Sequence, residues 1–112
     1  MQYIHNIVHE NTLSLAKEIA YNPGKVSHKT LTSTPYVTLT LFSFPKNEGL
    51  ATHSSKGDAM VQVLEGSGEF TVDETLHTVS AGETLIMPAG KPHSVYASEA
   101  FKMLLTVIFP VN

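Results

Sequence analysis

The chain contains no cysteine, which excludes disulfides, thiolate metal sites and a cysteine nucleophile, and fits a reducing compartment. Positive charge is also scarce. Lys and Arg number 7 against 10 Asp and Glu, the formal charge is -3, and no basic block is present to neutralise phosphates. Nucleic acid is therefore not an expected partner. The amino terminus, Met1-Gln2-Tyr3-Ile4-His5, lacks the basic region and continuous apolar core of a signal peptide. No apolar run approaches the roughly 20 residues that a membrane helix requires. The expectation is a cytoplasmic protein with no membrane partner.

What the chain has is apolar residues, 42% of 112, enough to bury one core, and the length suits a single domain over 1–112. In the segment 12–20, Leu13, Ala16 and Ala20 recur at helical spacing, with Asn11 or Thr12 available as a cap and Asn22-Pro23-Gly24 as a stop. The spacing predicts one short helix within an N-terminal segment, 1–34. Beyond it the period changes. Runs of Val, Thr, Leu and Phe, each broken by Gly, Pro or Asp within about ten residues, predict strands near 26–31, 35–44, 59–64, 68–72, 76–79, 84–87, 93–97 and 101–109. The fold class expected is all-β and antiparallel, a sandwich or barrel whose core covers about 35–109. Asp73-Glu74 supplies a tight hairpin and Glu65-Gly66-Ser67-Gly68 another turn, so the strands flanking each are expected to pair. In the last strand Phe101, Met103, Leu105, Val107 and Phe109 share one face while Leu104 and Ile108 make the other apolar. That strand is therefore central or lies at an oligomer contact.

Without cysteine, the six histidines and the carboxylates are the strong candidate ligands for a transition metal. Two histidines have informative surroundings. His93 follows a strand that ends in the loop Pro88-Ala89-Gly90-Lys91-Pro92, and His53 precedes a strand-rich stretch closed by Leu64-Glu65-Gly66. Gly82, Pro88, Gly90 and His93 resemble the second sequence motif of the cupin superfamily at every spacing except its final Asn, replaced by Ala97. The first cupin motif runs His, one residue, His, three or four residues, Glu, six residues, Gly. Aligned on His53 and Gly66, the chain has Ser55 in place of the second His and Ala59 in place of the Glu. The stretch 53–61 is similar to that of small bacterial cupins with a variant first motif. The resemblance implies a double-stranded β-helix, or jelly-roll barrel, around a ligand-sized cavity. It also implies a metal site of which His53 and His93 are the remaining candidate ligands.

In a strand, residues two apart share a face, so His-x-His aims two imidazoles at one ion while the Glu and the later His arrive across the barrel. A catalytic divalent ion generally takes at least three protein ligands. His53 and His93 supply two, Ser55 is a weak neutral ligand and Ala59 none, so iron, manganese, nickel or zinc would need a recruit, and no metal at all is the alternative. His77 could turn into the barrel beside Val79, and Asp58 could fold back toward His53. A structural histidine and a turn-forming carboxylate are the plainer readings of these two. If Ala59 faces inward, so do Val61 and Val63, leaving Gln62 outside. His5, His9 and His28 have no motif around them and default to surface or interface positions. An apolar pocket formed by Ser55, Ala59, Val61, Val63, Phe70, Met87, Val95, Met103 and Phe42 is the expected ligand site.

There is no glycine-rich phosphate loop opening a helix and no defensible Ser-His-Asp arrangement. Three functions follow. The first is a module binding a small organic ligand, with His53 and His93 as polar anchors. The second is a metal-dependent oxygenase or isomerase using those histidines and a recruit, and the third a dimer-forming interaction part. A homodimer is expected, because a short barrel with two-sided apolar strands has surface to hide.

Overall fold

The computed structural model describes residues 2–111. Nine strands follow one another: β1 (Ser27–Ser33), β2 (Val37–Phe44), β3 (Gly49–His53), β4 (Asp58–Glu65), β5 (Ser67–Val72), β6 (Thr75–Ser80), β7 (Thr84–Met87), β8 (His93–Tyr96) and β9 (Phe101–Ile108). They form two antiparallel sheets, one ordered β1-β2-β9-β4-β7 and the other β3-β8-β5-β6. The jelly-roll architecture holds, but as two facing sheets that do not close by hydrogen bonding.

Alternation along the strands sets the interior. In β4 the burial pattern puts Ala59, Val61 and Val63 inside and leaves Gln62 on the other face, as the period of two requires. Strand β9 is central, paired with both β2 and β4. Its inner residues Phe101, Met103 and Val107 are buried, while Leu104 on its outer face packs into a second cluster with Leu41, Leu31 and Ile19. Phe44, Phe70 and Phe101 fill one end of the barrel: Phe44 and Phe101 stack at 4.6 Å, and Phe70 meets Phe101 edge-on at 5.8 Å. The aromatic packing leaves the open space at the opposite end.

The predicted helix over 12–20 is reduced to a single 3-10 turn, Leu15–Glu18. Its carbonyls are taken by side chains of the barrel instead of by amides further along the segment. Lys102 Nζ donates to the Ala16 carbonyl at 2.6 Å, Lys29 Nζ to that of Glu18 at 3.3 Å, and Ser43 Oγ to that of Ala20 at 2.9 Å. Neither Asn11 nor Thr12 caps the turn, which begins after Ser14 without a side-chain cap bond. Tertiary bonds have overridden local propensity, and the segment lies as a strap across the outer face of β1, β2 and β9.

The Asp73-Glu74 hairpin joins β5 to β6 in register, with Asp73 at φ 53, a conformation that Asp tolerates in turns. The other expected pairing fails. β4 and β5 belong to different sheets, and Gly66, at φ 74, carries the chain from one to the other. A Cβ there would lie 2.5 Å from the Ala100 carbonyl, so the corner takes only glycine. Among the described residues no helix is long and apolar enough to cross a membrane.

Candidate functional site

At the open end a cavity of 270 Å³ lies between the sheets, just below the usual range for ligand pockets of about 300–1,000 Å³. The four-stranded sheet contributes Leu50, His53, His93 and Val95, and the five-stranded sheet Ala59, Met87, Met103, Leu105 and Val107, with Ser54 and Ser55 at the connection. Of the residues expected in the pocket, Ser55, Ala59, Met87, Val95 and Met103 line it. Val61, Val63 and Phe70 do not: they are buried deeper in the core cluster, against which Phe42 also packs. Leu50, Ser54, Leu105 and Val107 line the cavity without having been foreseen. For Leu105 and Val107, their place on the inner face of the last strand was the available signal.

His53 reaches the cavity through an irregularity. Leu50 and His53 are three residues apart, and in a regular strand they would face opposite sides. A register shift between them in the β3–β8 pairing lets both line the cavity, and it sets His53 directly across from His93. His93 is delivered by the Pro88-to-Pro92 loop, which is tied down on three sides. The Gly90 amide donates to the Ser55 carbonyl at 2.8 Å, the Ala89 amide to Asp58 Oδ1 at 2.8 Å, and the Asp73 amide to the Pro92 carbonyl at 2.8 Å. Lys91 Nζ adds an ion pair to Asp73 at 3.2 Å. Gly90, at φ 80, makes the turn.

The two imidazoles meet edge to face, with ring centroids 4.4 Å apart at 71° and Nε2 to Nε2 at 3.2 Å. His53 Nδ1 is 2.8 Å from the Ala51 carbonyl, and His93 Nδ1 is 3.2 Å from that of Lys91. A carbonyl oxygen only accepts, so each Nδ1 carries the proton and donates it. The contact between the Nε2 atoms would need a third proton, and two neutral rings bring two. Two unprotonated Nε2 atoms therefore face each other at 3.2 Å, a contact that a proton, a cation or a ligand donor between them would relieve. Burial, and after it the neighbouring His53, push the His93 pKa below its ordinary 6.5, while its bond to the Lys91 carbonyl works the other way. His93 is 4% exposed and His53 stands at the cavity mouth, exposed.

The proposed recruits lie elsewhere. His77 pairs with Phe70 on the edge strand β6 and faces a surface recess with Leu85 and Thr84. Asp58 spends one carboxylate oxygen on the loop amide of Ala89 and borders a separate recess with Ile108 and Pro110. Among the described residues no three His, Asp or Glu side chains come together. The 3.2 Å spacing suits two adjacent ligands of one ion: at Zn–N distances of 2.0–2.1 Å it subtends about 100°. The oxygen donors beside those two nitrogens are the hydroxyls of Ser54 and Ser55, and Ser55 Oγ already accepts the Gly57 amide at 3.1 Å. The donor set does not fit a resident hard divalent ion.

A family model described as "Cupin domain" matches residues 40–109. Among solved structures, a conserved protein of unknown function from Streptococcus pyogenes is 42% identical, with a TM-score of 0.97 over 100% of this chain and 98% of that one. A cupin superfamily protein from Desulfitobacterium hafniense is 27% identical, with a TM-score of 0.91 over 96% of this chain and 98% of that one. A "Cupin 2 conserved barrel domain protein" from Leptotrichia buccalis is 40% identical, with a TM-score of 0.84 over 86% of this chain and 47% of that one. No curated protein matches the chain.

Proposed function

The chain belongs to the cupin family, and from that premise we propose that it binds a small organic molecule between its two sheets, with His53 and His93 as polar anchors. One observation carries the reading: a cavity that is apolar apart from two serines has a polar focus in the facing Nε2 atoms of His53 and His93. Apolar walls with few convergent polar groups are how small-molecule sites are built. The chemistry of that focus favours a ligand with an apolar body and one hydroxyl or acid group, whose proton would complete the count between the rings.

An interaction-only role requires a filled interior, and the cavity beside His93 argues against it. The metal-dependent alternative, an oxygenase or isomerase with iron, manganese, nickel or zinc on His53, His93 and a recruit, draws support from the Nε2 spacing alone. A third ligand would have to come from the bound molecule. As a partner we propose a second copy of the chain in the cytoplasm, since Ile86 and Ile108 stand more than half exposed on the outer face of the five-stranded sheet. A single-chain mass by light scattering at micromolar concentration would rule that dimer out.

The test is a thermal-shift screen of metal-free protein against hydroxylated and acidic metabolites with apolar bodies. A binder at 100 times its Kd stabilises the fold by about 2.7 kcal/mol. Its shift should vanish in His93→Gln and persist in His77→Gln. A screen that moves nothing, or a shift that survives His93→Gln, defeats the reading.

A further inference from the structure

Beside His53 and His93 the cavity is lined by two methionines, Met87 and Met103, whose side chains carry thioether donors. From this juxtaposition we propose that the cavity is a copper(I) site, with the two Nε2 atoms and Met87 as ligands and Met103 as the fourth.

Three observations lead there. The first is the proton count. With each Nδ1–H committed to a backbone carbonyl, of Ala51 and of Lys91, the Nε2 lone pairs face one another at 3.2 Å and call for an electrophile. The second is charge. Among the described residues no carboxylate lines the cavity, so an entering cation meets only neutral donors between largely apolar walls. The cost of desolvating an ion grows with the square of its charge, so a monovalent cation carries about a quarter of the penalty of a divalent one of similar size. The third is softness. Imidazole suits several metals, but thioether sulfur selects copper(I).

Position strengthens the assignment of Met87. It pairs directly with Ala59 across β4 and β7, and directly opposed residues in a sheet have Cβ atoms roughly 5 Å apart. Ala59 stands where the family's first motif has its acidic ligand, so the side chain beside it approaches the same space from the same sheet. An unbranched thioether with three rotatable bonds adapts readily to such a gap. At Ala59 the wall holds no charged donor, and a soft, neutral one lies directly across the sheet from it. The inference shares with the ligand reading the cavity and the two Nε2 atoms, so copper and the organic molecule would compete for them.

The experiment is an anaerobic titration of metal-free, untagged protein with copper(I) in the presence of bicinchoninate as the coloured competitor, repeated with zinc(II) and a zinc indicator. The expected result is one copper(I) withdrawn per chain and no zinc retained. His53→Ala should abolish the uptake, and Met87→Leu, close to volume-conserving, should weaken it at least about tenfold, as losses at metal sites commonly do. To separate ligation from packing, silver(I) is added to wild-type protein labelled at the methionine methyls. One equivalent should move the Met87 and Met103 resonances in the NMR spectrum and leave that of Met60, on the outer face of β4, in place. No uptake of copper(I), equal retention of zinc(II), or unmoved Met87 and Met103 methyls with the metal bound each overturn the proposal. The metabolite screen on metal-free protein is read separately, so loss of one reading leaves the other standing.

Discussion

The Gly90 amide donates to the Ser55 carbonyl at 2.8 Å, which stitches the loop that delivers His93 to the loop that follows His53. The two histidines are 40 residues apart in sequence, and their separation in space depends on this stitch and on the Asp58 clasp beside it. Local hydrogen bonding, in addition to the strand pairing, holds the Nε2 atoms at one focus.

The clasp makes a prediction about Asp58. Removing its carboxylate in Asp58→Ala leaves the Ala89 amide without its partner and should cost about 1 kcal/mol. For a domain of this size that lowers Tm by about 4 °C or more. The His93 ring resonances should broaden or shift while those of His77 stay fixed. Unchanged His93 resonances would separate Asp58 from the site.

Acid should weaken the fold through His93. Its folded-state pKa lies below 6.5, so just below that pH the unfolded chain takes up a proton that the folded chain refuses. Stability is then constant in this respect above the unfolded value and is lost as pH falls below about 6.5, with a limiting slope of about 1.4 kcal/mol per pH unit. Denaturant midpoints measured from pH 7.5 to 5 should show the fall, and His93→Gln should flatten it. Parallel curves for the two proteins would refute the assignment.

Restoring the absent ligands should restore hard-metal binding. Ser55→His with Ala59→Glu would place an imidazole and a carboxylate at two positions that line the cavity, completing four donors for a divalent ion. Elemental analysis after a chelator wash should find about one zinc or manganese per chain in the double variant, less in the three-donor Ala59→Glu variant and none in wild type. In the absence of metal the single variant should be less stable than wild type, because Ala59 is 2% exposed and an unpaired carboxylate is costly to bury. A double variant that stays empty would mean that the backbone has moved away from a ligating arrangement.

Lys102 holds the N-terminal strap. Its ammonium donates to the Ala16 carbonyl at 2.6 Å, lies 4.7 Å from the centroid of the Tyr21 ring and approaches Glu65 at 3.9 Å. Burial and the Glu65 carboxylate raise the Tyr21 pKa, so the phenol stays protonated and donates to Glu65 Oε2 at 2.7 Å. Lys102→Met should cost about 2 kcal/mol and expose the strap to limited proteolysis before the barrel. Cleavage at the wild-type rate would show that apolar packing alone retains it.

The sequence made the inner face of β4 legible because Gln62 marks the opposite face from Ala59, Val61 and Val63, and it located His93 because Gly82, Pro88 and Gly90 punctuate the chain ahead of it. Alternation reports which face a residue occupies but not how deep along the barrel it lies. That is why Val61 and Val63 were expected in the pocket and are found in the core. Strand β3 was missed because it is short, exposed at four of its five positions and irregular between the two residues that matter, so it shows no period. The helix over 12–20 was expected from spacing that is real but weaker than the bonds from Lys29, Ser43 and Lys102. Asp58 was expected in a turn and instead opens β4, and its partner Ala89 lies 31 residues away, beyond any local signal.

His53 sits on the outermost strand of its sheet, since the order β3-β8-β5-β6 gives β3 one neighbour only. Edge strands with few buried contacts are the first to fray. The wall of the cavity that carries one of its two anchors is therefore also its least secured, and unzipping Gly49 from Tyr96 and Leu50 from Val95 would swing His53 outward without disturbing the stacked phenylalanines at the far end. For the ligand proposed above, residence time would then be set by how often one short ribbon lets go, with no separate lid required.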